Sequence, residues 1–143
     1  MPRYSQQYIA NLIAQHDYGA LVDLQRAASG SKLYDTKHPS FGWPCAIFVI
    51  FELATWIAQA DRSGVWTYYE ATPPMRMNCV LATLEELGAV ELHKQYNYGK
   101  KHWQDEDACD RLDCWICEHE PAIIAWAFEV LKTHPAELAV VCD

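Results

Sequence analysis

The residues with the most distinctive chemistry fall in one stretch, WQDEDACDRLDCWICEHE, at 103–120. It places Cys109, Cys114, Cys117 and His119 within eleven residues, spaced C-x4-C-x2-C-x-H, with His102 just before. Zinc is held tetrahedrally by thiolates and imidazoles, and a C-x2-C pair is a common half of such a site. The usual second half is a distant C-x2-C or H-x3-H pair, and the sequence contains neither. Thiols among carboxylates are also harder to ionise. The competing account packs Cys114 and Cys117, with Trp115 and Ile116, against a core, because free cysteine behaves as a small apolar side chain. Packing is the expectation, and no metal or other cofactor is assigned; a small zinc-binding protein built on Cys109, Cys114, Cys117 and His119 is kept as an alternative.

Other chemistries fare less well. A redox C-x-x-C normally opens a helix after a strand, where the thiol pKa is lowered, whereas Cys114 and Cys117 sit in an acidic, helix-patterned context. Six cysteines and six histidines make chance Cys/His pairs unavoidable, so they do not single out a nucleophile and its base. The sequence has no G-x-S-x-G, H-E-x-x-H, Walker loop or G-x-G-x-x-G. The expectation is a protein without enzymatic activity.

The carboxylates give the second reading of the same stretch. Asp105, Glu106, Asp107, Asp110, Asp113, Glu118 and Glu120 crowd it, and they dominate the charge of the chain. Residues 1–102 carry nine acidic and nine basic side chains; residues 103–143 carry ten acidic side chains against Arg111 and Lys132. That end therefore holds the whole net charge of −8. Such a surface repels nucleic acid and anionic membranes and attracts a basic protein. A solvated acidic face is the bland alternative.

These residues must be positioned by a chain of 143 residues, the size of one compact domain. The opening MPRYSQQYIANLIAQ lacks the apolar run of a secretory signal, so the cysteines are expected as reduced thiols in the cytoplasm. The most apolar run, PCAIFVIFELATWIA from Pro44, suits a buried helix rather than a membrane span.

Nearly every periodic segment has helical spacing. Helices are expected at Ser5–Gln15, at Ala20–Ala28, from Pro44 to about 60, and from Pro74 to a stop at Gly88. The segment Gly30–Trp43 is loop. Val90–Trp103 fits either a short helix or a loop. A short helical piece covers Asp107–Cys117, a last helix starts at Pro121 and ends before His134-Pro135, and Leu138–Cys142 is the one candidate strand. The fold class is all-α: a single bundle of about six helices, spanning 1–143, around a central apolar helix at 44–60. Trp66, Tyr68 and Tyr69 are expected in its core, with an exposed binding surface as the alternative.

The middle segment, FELATWIAQADRSGVWTYYEATPPMRMNCVLATLEELGA (Phe51–Ala89), carries a family resemblance. An apolar helix with an acidic residue (Glu52) leads through Ser63-Gly64-Val65-Trp66 to the aromatics Tyr68 and Tyr69, then to a helix ending LATLEELGA. With LDCWICEHEPAIIAWAFEVLKTHP (Leu112–Pro135), it resembles the bacterial domain family named after an acidic DNA-mimic protein, over roughly 45–135. Arg62-Ser63-Gly64 stands where that family has Asn-Gly-Gly, and the cysteines lie outside its pattern. The resemblance implies an all-helical inhibitor whose surface carboxylates imitate DNA phosphates in the binding site of a regulator or nuclease. An immunity protein that neutralises a bacterial toxin by direct binding is the alternative on the same surface. The seven carboxylates at 105–120 are the expected partner-binding residues in either case.

Overall fold

A computed structural model, describing residues 3–143, forms eight helices that include 76 % of the described residues, with no strand among them. They are α1 (Gln6–Gln15), α2 (Tyr18–Ser29), α3 (Cys45–Arg62), α4 (Trp66–Ala71), α5 (Pro74–Glu86), α6 (Val90–His102), α7 (Glu106–Thr133) and α8 (Pro135–Val141). The all-α class holds. The count exceeds the expected six because the aromatic segment after Gly64 makes a short helix of its own, the ambiguous 90–102 segment is helical, and 135–141 coils instead of pairing as a strand, while the pieces expected at 107–117 and from Pro121 merge into one helix.

Local signals account for most boundaries. Ser5 and Asp17 cap α1 and α2, their side chains accepting the N–H groups of Tyr8 and Ala20. Pro74 occupies the first turn of α5, where its missing N–H has no partner to lose. Gly88, at φ +72°, takes the left-handed conformation that stops α5. No helix among the described residues is long and apolar enough to cross a membrane.

The largest correction concerns Pro121. The sequence suggests that it begins a new helix, yet α7 runs through it without interruption over 28 residues. Proline inside a helix forfeits one hydrogen bond to the carbonyl four residues earlier and crowds that carbonyl. The loss is tolerated because an apolar stripe continues across it: Ala108, Leu112, Ile116, Ile123, Ala127 and Leu131 are all buried, at intervals of four, four, seven, four and four.

The chain forms two compact units, one from residues 1–54 with 121–143 and one from 55–120. In the first, α1 packs on α2, and the loop after Ser29 is pinned where the buried Trp43 indole donates to the Ala28 carbonyl at 3.1 Å. The apolar run of α3 is buried almost continuously from Ile47 to Ala54, and Glu52 lies inside it at 6 % exposure, with a partner of its own.

In the second unit, α6 packs against both α5 and α4. A buried aromatic network holds this unit together. Trp56 donates its indole N–H to the Tyr69 hydroxyl at 3.0 Å, Tyr69 donates to the Tyr96 carbonyl at 2.8 Å, and the Tyr68 and Tyr96 hydroxyls meet at 2.7 Å. Gly99 makes room for it, because a Cβ there would collide with the Tyr69 phenol. Tyr68 and Tyr69 are thus core residues, as their composition suggests.

Candidate functional site

The seven carboxylates of 105–120 lie on or just before α7, and the helix separates them. Asp105 caps it: its side chain accepts the Asp107 N–H at 3.0 Å. Glu106 and Asp107 occupy the first turn, where negative charge complements the helix dipole by about 0.3–1 kcal/mol each. The preceding helix α6 ends with the opposite sign, on Lys100, Lys101 and His102. The first three acids therefore have a local structural purpose, whereas Asp110 and Asp113 lie beyond the reach of the helix end.

At about 100° per residue, Glu106, Asp110 and Asp113 fall within roughly 60° of one another on one face. They line a single cleft of about 500 Å³ within the 55–120 unit, together with Trp66, Trp103 and Cys109. Asp107 and Glu118 are exposed on a different side of the helix. Glu120 is half-buried and hydrogen-bonded to Asp61; burial first, and that neighbouring carboxylate second, raise its pKa.

Asp113 has two functions at once. Its Oδ1 accepts the Val65 N–H at 2.8 Å, across 48 residues of sequence, so it fixes the start of α4. Burial, and then repulsion from Asp110 and Asp61, raise its pKa above the ordinary 3.8, with the Val65 bond opposing them. Among the described residues no cation lies within ion-pairing distance of Glu106, Asp110 or Asp113, and the ion pairs found are Arg26–Asp23 and Lys132–Glu129.

The aromatic walls are the part of the cleft least visible in the sequence. Trp66 is 43 % exposed and is not the core residue its neighbours suggest. Its placement follows from Gly64, whose φ of +102° only glycine adopts easily, and whose bare Cα lies under the edge of the indole. Trp103 is half-buried at the end of α6. The one sequence signal for this wall is the aromatic run at 66–69, for which an exposed surface is the second reading.

The cysteines need correction. Cys114 and Cys117 are exposed and do not pack in the core; Cys109 is the buried one, with its Sγ donating to the Trp103 carbonyl at 3.1 Å. Burial and then the charges of Asp113, Asp110 and Asp105 raise its pKa, so the thiol at the cleft floor is protonated and a poor nucleophile. The residues of the zinc alternative are not brought together around one point. Cys109, Cys114, Cys117 and His119 ride one continuous helix, where Cys114 and His119 point about 140° apart. His119 instead folds back on its own helix, its ring stacked on Trp115 at 4.2 Å and its Nδ1 2.8 Å from the Trp115 carbonyl. No group of three or more His, Cys, Asp or Glu among the described residues is arranged to hold a metal ion.

The 1–54/121–143 unit has a second cleft of about 570 Å³, lined by Ile9, Ile13, Leu131 and Leu138, with Lys132 at its edge. It presents apolar surface and no constellation of reactive groups. No family model matches the chain, and no curated protein or solved structure matches it.

Proposed function

We propose that this protein is a non-enzymatic acidic inhibitor that binds a basic protein partner through α7 and the cleft beside it. The observation that carries this is the set of carboxylates at Glu106, Asp110 and Asp113, which share a face, lack a counter-ion among the described residues and adjoin two partly exposed indoles. Charges left unneutralised on one face repel one another and cost stability, a cost that binding a basic partner would relieve. Asp105 and Asp107 extend the same negative end, accelerating encounter with a basic surface. Glu118 and Glu120 widen it toward the middle of α7.

The partner is a DNA-binding regulator or nuclease whose DNA site these carboxylates occupy, in keeping with the resemblance of 45–135 to the DNA-mimic family. A toxin held by an immunity protein would use the same surface, and its gene beside this one would decide for that version. The location consistent with either is the cytoplasm. A protein partner captured from the source cells and identified by mass spectrometry provides the test. Its affinity for the chain should fall steeply with added salt, and the triple variant Glu106→Lys, Asp107→Lys, Asp110→Lys should lose binding while keeping its helical circular dichroism. Unchanged affinity in that folded variant refutes the acidic-face reading, and stoichiometric zinc in the purified protein would favour the zinc-binding alternative instead.

A further inference from the structure

We infer that the cleft of the 55–120 unit is a receptor for one arginine side chain of the partner, seated against Trp66 and Trp103 and neutralised by Glu106, Asp110 and Asp113. This rests on the proposal of a basic protein partner and adds the chemical group that is recognised.

Three observations converge on a cation of this shape. The carboxylates stand at i, i+4 and i+7 on α7, so they form a short negative stripe along one wall. No side chain of the molecule neutralises them among the described residues, although Arg111 is close in sequence: its guanidinium reaches instead toward the Tyr98 hydroxyl at 3.5 Å. Two indoles, Trp66 and Trp103, also line the cleft, and indole is the best of the aromatic faces for holding a cation. Trp66 stays 43 % exposed because Gly64 seats the indole edge and Asp113 fixes the adjoining Val65 N–H. The aromatic wall and a carboxylate of the negative wall are therefore held to each other within one unit.

The chemistry selects among cations. A bare metal ion is disfavoured, since indole carbon offers no ligand and no metal-holding group is present among the described residues. An ammonium is compact and strongly hydrated, so it gains little from a cleft of about 500 Å³. A guanidinium is planar and weakly hydrated. It stacks on an aromatic face while its fork of N–H donors reaches two carboxylates at once. Gln104, also at the rim, has an amide carbonyl that suits a further N–H.

The test uses the full chain and a capped tripeptide, acetyl-Ala-Arg-Ala-amide, followed by the indole N–H resonances in two-dimensional NMR. The arginine peptide should titrate saturably and shift the Trp66 and Trp103 resonances. The lysine peptide should bind more weakly, and the citrulline peptide, a neutral isostere, about tenfold more weakly or worse. Glu106→Gln with Asp110→Asn, both at exposed positions, should abolish saturation without changing the fold. Equal binding of the arginine and citrulline peptides overturns the inference, as does saturation that persists in the double variant or shifts confined to other indoles. The two proposals fail separately. Loss of whole-partner binding on charge reversal with no tripeptide binding sinks only the arginine seat. Specific tripeptide binding combined with a partner indifferent to charge reversal sinks only the acidic-face reading.

Discussion

Replacing Asp113 separates what its carboxylate does for the fold from what its charge does for binding. Two effects oppose each other at this position. The Oδ1 bond to the Val65 N–H, at 2.8 Å, favours having an acceptor there. Burial and the nearby Asp110 and Asp61 carboxylates disfavour having a charge there, and they win, because the pKa is raised above 3.8 rather than lowered. Asn keeps the acceptor and removes the charge; Ala removes both. Asp113→Ala should therefore cost about 1–3 kcal/mol, the penalty for leaving a backbone N–H unpaired. Asp113→Asn should match the parent at neutral pH or exceed it in stability.

The pH dependence follows from linkage. A carboxyl whose folded pKa is raised binds its proton more readily in the folded state. Its contribution is fully present below the unfolded value near 3.8 and is lost as pH rises through the higher folded value. The advantage of Asp113→Asn over the parent should accordingly grow from about pH 4 upward and then level off. Urea unfolding followed by circular dichroism, for all three proteins between pH 3.5 and about 8, measures this directly. If Asp113→Asn is as unstable at pH 7 as Asp113→Ala, the charge itself stabilises the α4 start, and burial with carboxylate repulsion is the weaker of the two effects.

Two further predictions concern neighbouring side chains. Tyr69→Ala should cost about 4 kcal/mol or more, since the ring is 2 % exposed and its hydroxyl serves both Trp56 and Tyr96. Trp66→Ala should cost less than half as much in the same unfolding assay, because nearly half of that side chain already meets solvent; equal losses would return Trp66 to the core. In native protein, a thiol reagent should label Cys45, Cys114 and Cys117 quickly and leave Cys109 and Cys142 for denaturing conditions, with Cys142 additionally held back by burial that lifts its pKa to about 11. Peptide mapping by mass spectrometry reads this out, and early labelling of Cys109 would contradict its place at the cleft floor.

Much of the helical architecture is legible in the sequence because it is local. Ser5 announces the start of α1, the apolar run from Ile47 marks α3 as buried, and Pro74 with Gly88 brackets α5 to within two residues, whereas the start of α2 at Asp17–Tyr18 precedes the expected Ala20. The acidic end is equally legible, since charge is counted from composition alone. Two misreadings share a cause. Pro121 looks like a helix start when only its immediate neighbours are weighed, whereas the buried stripe from Ala108 to Leu131 crosses it in register. Cys114 and Cys117 look like packing residues by type, but their positions on that helix turn them to solvent, and no residue-type preference encodes which face of a helix is covered.

The cleft itself belongs wholly to tertiary structure. It joins two separate places in the chain, Trp66 from the 63–66 turn and Trp103 with the α7 carboxylates from 103–113, and Asp113 ties them by reaching back 48 residues to Val65. The sequence by itself determined that the molecule is helical and that its C-terminal third is negative, because helix periodicity and charge are properties of neighbouring residues. Only the tertiary structure decided that the face carrying Glu106, Asp110 and Asp113 meets Trp66, because that depends on long-range packing and on one hydrogen bond no local pattern contains.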